Sequence, residues 1–559
     1  MRGKRLLRSQ PGRAQRQRSG RRERHGKPIG HGRDHPIAQQ ATPQASPFGY
    51  HSLTMRLSRA VFLIALCGWS ASASEWMRFR GPNGSGVAER GALPVVFGPD
   101  SNVIWKADLP PGKSSPVLAR DRIYLTAHSD GRLLTIALDR ATGSELWRRA
   151  APSRRVERMH RLNDEAAATP VTDGNNVYAF FGGFGLLAYD SDGNELWTLP
   201  LGPFTNYHGM GSSPILADGR LILVCDQDLD AYLMAVDPAN GEILWKTPRR
   251  DFVHGFSTPI VYESPAGETE IIVPGSYHMA SYTVDGNELW RVDGLTYQVK
   301  SGPVLDGERV YFNGWAVGGE PQARLELPPF ERMRDGFDAN GDAELAKGEI
   351  PQEWLPNSWE MHDRNKNGTM DARDWAHYRA RRVSENSCMA IRLGGRGNVT
   401  DTHLLWRYHK SLPEVSSPIL YQGVLYLVRN GGIVTALKPA TGKVLKQGRL
   451  RDALEGFYSS PVAGDGKIYM ISAAGTAVVL EAGPDWKILQ SNRLEEDVYA
   501  SPAIGDGRLY VRTTSRLYCF GNPEAAGVSV ERLDQSLRSS PPDRSSQDQR
   551  RGSVRGKRE

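Results

Sequence analysis

The chain has 559 residues, 70 Lys and Arg against 63 Asp and Glu, and a formal net charge of +7. Its 13 Trp and 20 Tyr exclude a wholly disordered chain, and its 4 Cys exclude a disulfide-stapled scaffold. The one noticeable apolar run, Val61–Leu66, is too short to span a bilayer.

The positive charge sits at the start. Residues 1–54 hold twelve Lys and Arg, opposed only by Glu23 and Asp34. Such an arm alone would suggest nucleic acid. The residues from Met55 onward redirect that reading. Met55 is succeeded by Arg56 and Arg59, an apolar stretch Ala60–Leu66, and Ala71-Ser72-Ala73. These are the three regions of a secretory signal peptide, expected over 55–73. A signal must lie near the true N-terminus to be read, so 1–54 is expected to be a disordered basic extension from a wrongly assigned start. Leu66 before Cys67 is too large for a lipoprotein signal. The remainder carries a net −5. The expected location is therefore periplasmic or secreted, with no nucleic-acid partner and no transmembrane span.

From 74 to 521 the chain repeats. Each copy opens with a small residue, any residue, then Pro. The opening prolines are Pro116, Pro170, Pro214, Pro259, Pro303, Pro418, Pro461 and Pro502. Their spacings are 54, 44, 45, 44, 115, 43 and 41, and a period near 44 fits a four-stranded propeller blade. Alternation within copies has period two, as in Leu134–Leu138, so the segments are strands. Most copies close on Trp: Trp105, Trp147, Trp197, Trp245, Trp290 and Trp406. These are expected to pack between blades rather than to stack on a ligand. Trp105 has no opening Pro before it, and the last copy, Ala500–Phe520, lacks a final strand. Asn102–Leu109 is expected to supply that strand and close the ring. The fold class is thus all-β, an eight-bladed β-propeller.

Ala137-Leu-Asp-Arg-Ala-Thr-Gly143-Ser-Glu-Leu-Trp147 and Ala235-Val-Asp-Pro-Ala-Asn-Gly241-Glu-Ile-Leu-Trp245, with the S-x-P openings, resemble the pyrroloquinoline-quinone (PQQ)-type propeller repeat. Glu75-Trp-Met-Arg-Phe-Arg-Gly-Pro82 resembles the start of exported bacterial PQQ-like propellers. The resemblance implies the fold more than an activity. The family includes quinoprotein dehydrogenases and also cofactor-free scaffolds, such as the lipoprotein of outer-membrane barrel assembly.

The 115-residue spacing marks an insertion between Phe312 and about Met389, with a calcium-binding unit expected over 325–385 in blade five. Asp338, Asn340, Asp342, Glu344 and Glu349 occupy positions 1, 3, 5, 7 and 12 of a loop resembling the EF-hand. Asp363, Asn365, Asn367, Thr369, Asp371 and Asp374 occupy positions 1, 3, 5, 7, 9 and 12 of a second. Position 8 is apolar in both (Leu345, Met370), which suits a short β contact between paired loops. Two departures stand out: Ala343 where Gly eases a sharp turn, and Asp374 where Glu is usual. A short helical link around Pro351–Met361 and a helix over Ala372–Arg382 are expected, in a calcium-stabilised pair protruding from blade five.

Residues just before each opening should ring the mouth of the central channel. Asn163, Glu165, His208, His254, Lys300, Tyr458 and Tyr499 are the candidates, a set suited to an anionic or carbonyl-rich ligand. His208-Gly and His254-Gly sit in matching contexts. Two functions compete. One is an exported calcium-binding scaffold or binding protein for an unknown protein or small molecule, expected to be a monomer. The other is a PQQ-dependent oxidoreductase acting on an alcohol or sugar. Alcohol-oxidising quinoproteins carry adjacent cysteines, whereas Cys225, Cys388 and Cys519 lie far apart, and no C-x-x-C-H haem motif is present. The sequence therefore favours the first. Residues 522–559, rich in Ser, Arg, Asp and Gln, read as a disordered tail.

Overall fold

A computed structural model describes residues 76–89, 91–319, 324–356 and 358–522. The expected extension 1–54, signal segment 55–73 and the tail beyond Asn522 lie outside the described residues.

Among those residues, eight sheets succeed one another as propeller blades, antiparallel throughout except where Gly397–Asn398 pairs parallel with the outer strand of blade four. Blade one is typical, with strands Val117–Ala119, Arg122–Ser129, Arg132–Asp139 and Glu145–Ala150. Its middle strands are buried on both faces, which accounts for their near-continuous apolar runs. In its outermost strand only Trp147 is buried. The ring closes as expected from the sequence: Val103–Asp108 pairs antiparallel with Arg516–Phe520, Trp105 opposite Cys519.

Five of the six closing tryptophans dock on the next blade, whereas Trp290 donates to Glu270 of its own blade at 2.9 Å. The indole Nε1 of Trp147 donates to Ser191 O at 2.9 Å, Trp197 to Pro238 O at 2.8 Å, Trp245 to Val284 O at 2.8 Å and Trp406 to Pro439 O at 2.8 Å. The glycine of the neighbouring turn makes room for each ring. At Gly241 (φ 79°), a Cβ would lie 2.8 Å from the Trp197 indole. That is the physical content of the T/N-G-x-x-[LI]-W pattern.

The middle residue of S-x-P is not arbitrary. Its backbone N–H donates to the hydroxyl at the same position in the next blade. The series runs Ser115 to Thr169, Thr169 to Ser213 and Ser213 to Thr258, then Gly302 to Ser417, Ser417 to Ser460, Ser460 to Ser501 and Ser501 back to Ser115, all at 2.8–3.1 Å. Only the step from Thr258 to residue 302 is missing, because Gly302 has no hydroxyl. A Cβ there would meet nothing closer than 3.6 Å. Gly302→Ser is therefore expected to complete the ring and stabilise the protein by about 1 kcal/mol in denaturant unfolding. A loss of stability would show that the gap is needed.

Residues 76–98 run along the innermost strands, beyond the opening prolines as seen from the turns that precede them. Trp76 bridges to Leu118 in blade one and Val87 to Ala463 in blade seven. Between them Asn83 exchanges two hydrogen bonds with Val261 of blade four. Touching opposite sides of the ring within a dozen residues requires the segment to cross that end of the channel.

The insertion leaves blade five between Arg309–Gly314 and Ser387–Arg392. Among the described residues it holds three helices, α1 (Phe330–Phe337), α2 (Trp359–His362) and α3 (Ala372–Val383). They enclose a small core around Met333, Leu345, Met370 and Trp375. It does not simply protrude. Tyr277 donates its hydroxyl to His377 O at 3.1 Å, Arg373 donates to Arg250 O at 2.9 Å, and the Arg381 guanidinium stacks 4.3 Å from the Tyr297 ring centroid. The insertion thus packs against blades three and four.

Candidate functional site

At the channel mouth the chain turns inward before each opening proline, and the blade register places these turns side by side. Asn163 donates to His208 O at 2.9 Å. The His208 ring stands 5.2 Å from that of His160 and 5.7 Å from that of His254. His254 donates its Nδ1 hydrogen to Asp228 and accepts at Nε2 from the Gln298 amide at 3.0 Å. Burial pulls the His208 imidazole down to about 4, helped by His254, His160 and Lys300, and its Nδ1 is buried without a hydrogen-bond partner. Lys300 donates to Trp315 O at 3.1 Å, and burial lowers its pKa to about 8 against the opposing pull of Glu414. Across the mouth Tyr458 and Tyr499 stack, with centroids 5.7 Å apart and planes 14° apart. Lys113 caps Tyr499 at 4.3 Å and donates to Leu162 O at 2.7 Å. Beside it a cavity of about 120 Å³ is lined by Lys113, Asp164, Tyr499 and Arg512.

Asn163, His208, His254 and Lys300 thus form one cluster, and Tyr458 with Tyr499 a second. Glu165 joins neither, since its carboxylate takes a bidentate contact from Arg154, 2.9 Å at the Nε–Oε2 bond. The sequence reading missed Lys113, His160, Asp228 and Arg512. Lys113 was findable, because it sits three residues before Pro116 as Lys300 sits three before Pro303. Asp228 and Arg512 carry no such positional signal.

Behind His254 lies a buried ion pair. Arg249 grips Asp226 with two bonds, 2.7 and 3.0 Å, and donates to the Tyr282 hydroxyl at 2.6 Å. Both charged side chains are almost fully buried, at 0% and 1% exposure. Gly255, next to His254, rests against the Asp226 side chain.

In the insertion α1 leads into the first candidate loop and α2 into the second, with α3 directly after it. The loops pair through Leu345–Ala346 and Thr369–Met370, with Leu345 opposite Met370. In loop one Asp338 accepts the Gly341 and Ala343 amides at 2.7 and 2.9 Å. Asn340 accepts the Asp342 amide and Asp342 the Glu344 amide. Glu349 reaches back to the Ala339 amide at 2.9 Å. Positions 1, 3, 5 and 12 of this loop therefore share one turn, with oxygen donors suited to a hard cation.

Loop two differs. Asp363 accepts the Asn367 and Gly368 amides, and Asn365 and Asn367 make matching turns. Thr369 is tied by its hydroxyl to Glu344 of loop one, and Asp371 caps α3 by accepting the Asp374 amide at 2.8 Å. Asp374 itself faces Arg364 at 2.9 Å, both almost buried, and Arg364 also donates to Asp228 O at 3.0 Å. Position 12 of loop two is thus engaged by the guanidinium at position 2, unlike Glu349 at position 12 of loop one. Among the described residues no three His, Cys, Asp or Glu side chains converge as a metal cluster. Ala343 stands at φ 65° where glycine is unstrained. Ala343→Gly is expected to stabilise the insertion by about 1 kcal/mol in thermal unfolding.

A family model described as outer membrane protein assembly factor BamB matches residues 87–228 and 396–520, leaving out the segment that holds the insertion. No curated protein matches the chain. Among solved structures, a quinohemoprotein alcohol dehydrogenase from Comamonas testosteroni is similar with a TM-score of 0.51 at 12% identity, over 80% of this chain and 81% of that one. A europium-containing methanol dehydrogenase gives 0.50 at 10%, over 80% and 98%. BamB from Moraxella catarrhalis gives 0.46 at 11%, over 75% and 98%. The likeness to the two dehydrogenases is one of fold. Among the described residues no helix is long and apolar enough to cross a membrane.

Proposed function

We propose that this protein is an exported calcium-binding propeller that holds an anionic protein segment or small molecule at its mouth, without chemistry of its own. The observation that carries this reading is the mouth itself. Lys300 stands with His208 and His254 on one side of the mouth and Lys113 with the stacked tyrosine pair on the other, so the two sides offer charge and flat apolar surface. Cys225, Cys388 and Cys519 are each buried and free, unlike the adjacent cysteines of alcohol-oxidising quinoproteins. In this reading the residues that would hold calcium are Asp338, Asn340, Asp342 and Glu349 of loop one, with the Glu344 carbonyl. When bound it would neutralise those oxygens and tie the start of the loop to its end. The second reading, a PQQ-dependent oxidoreductase acting on an alcohol or sugar, draws support from the fold shared with the two dehydrogenases.

One set of measurements separates the readings. The purified protein is titrated with Ca²⁺ by calorimetry, then given pyrroloquinoline quinone and assayed by absorbance and dye-linked alcohol oxidation. Saturable calcium uptake that Asp338→Ala abolishes and Asp374→Asn leaves intact, with no quinone bound, supports the proposal. Stoichiometric quinone with turnover overturns it in favour of the second reading.

A further inference from the structure

The segment crossing the far end of the channel carries two arginines that turn inward. Arg78 is 8% exposed and Arg80 1%. Arg78 donates through Nη2 to Pro259 O in blade four. Arg80 donates through Nη2 to Pro418 O in blade six at 2.8 Å and to Ser85 O at 3.3 Å. Burial alone pulls both guanidinium pKa values down to about 9, and no acidic group opposes it. A guanidinium stays charged in a protein, so this end of the channel holds two positive charges that no carboxylate among the described residues compensates. Among the other buried arginines, Arg249 pairs with Asp226 and Arg364 with Asp374, while Arg512 engages Ser114, Thr126 and Pro110 through both Nη atoms.

The unused donors point the same way. Arg78 Nε, Arg80 Nε and Arg80 Nη1 are buried without a partner. If the arginines served only to staple residues 76–98 to the ring, carbonyl contacts through Nη2 would suffice. The remaining donors would then stand desolvated for nothing. The backbone is also shaped around these side chains. Arg80 itself adopts φ 61°, and Gly86 leaves the space in which a Cβ would lie 2.9 Å from Arg80 Nη2.

We propose that Arg78 and Arg80 form a binding site for a small inorganic oxyanion, of the phosphate or sulfate class, at the closed end of the channel. Guanidinium forks match such oxygens in spacing and charge, and a dry setting strengthens the attraction. The anion replaces the carboxylate that the sequence does not supply. It also joins the crossing segment to blades four and six at once.

The test uses the whole purified protein in chloride buffer at fixed ionic strength. Protein as isolated is denatured and its released anions are measured by ion chromatography. Separate samples are titrated calorimetrically with inorganic phosphate and with sulfate. One equivalent of either anion, carried through purification or taken up on titration, is expected. The double variant Lys113→Gln/Lys300→Gln, altered only at the opposite mouth, should retain it. Arg80→Gln should lower the affinity at least tenfold. Absence of both carried and titrated anion in the wild-type protein would overturn the proposal. So would loss of the anion from the mouth variant. Because these two outcomes do not depend on Arg80→Gln folding, the proposal stays open to refutation if that variant fails. Which anion is released, or bound more tightly, distinguishes phosphate from sulfate.

Discussion

Replacing Asp226 with alanine is expected to destabilise the protein by about 3–5 kcal/mol, because it leaves the Arg249 charge buried with no counter-ion. Arg249 has nowhere to move. It lies under Phe252, 3.6 Å from the ring centroid, and keeps one bond to the Tyr282 hydroxyl. The Coulombic gain that offset its desolvation would be gone. The double variant Asp226→Ala/Arg249→Met should recover most of the loss, since it leaves no unpaired charge buried. Guanidinium unfolding of wild type, single and double variants measures both numbers. A single variant that costs under 1 kcal/mol would show that water reaches Arg249. The same substitution should loosen His254, whose neighbour Gly255 rests on Asp226, and so disturb the mouth as well as the fold.

Acidification from pH 7 to pH 4 is expected to cost several kcal/mol of stability through buried histidines held neutral, His377 and His208 among them. Burial pulls His377 down to about 3, helped by Arg364, Arg373 and His278, and His208 down to about 4. Both values lie below the ordinary 6.5 of an unfolded chain. Above pH 6.5 neither state binds the extra protons and the histidines contribute no pH dependence. Below it the unfolded chain takes up protons that the folded chain refuses, so stability falls as the pH falls toward the folded values. His377→Gln cannot charge, and its stability should fall less steeply over this window. Denaturant unfolding at pH 7, 6, 5 and 4 checks it. Equal slopes for wild type and variant would mean that His377 is solvated when the insertion is docked. Since His377 meets Tyr277 of blade four through its carbonyl, the insertion should loosen first as the pH drops.

What the sequence revealed was what recurs locally. Proline spacing and period-two alternation lie within single blades, so blade number and ring closure by Asn102–Leu109 could be read directly. The pairing of Leu345 with Met370 was equally legible, because loop position 8 is defined by its own loop. The mouth was half legible. His208 and His254 converge because near-equal offsets, six and five residues before Pro214 and Pro259, place them together in neighbouring blades. Glu165 shares the offset logic but takes Arg154, a partner from its own long connection, which no register argument supplies. Long-range choices were not legible at all. Nothing in a linear reading says that Arg364 captures Asp374, or that the Asp228 carbonyl then receives Arg364 from more than a hundred residues away. The hydroxyls within S-x-P were visible as letters. Their role needs eight inner strands seen together.

The ring closure also orders events in time. Asp108 and Arg516, which face each other in the shared sheet, are 408 positions apart. During synthesis the strand Val103–Asp108 emerges among the first and must wait for nearly the whole chain before its partner exists. Until then blade eight cannot form, the hydroxyl series cannot pass from Ser501 to Ser115, and two sheet edges stay open to other chains. The nascent protein therefore carries an unpaired edge for most of its manufacture, and the last act of folding joins its two ends.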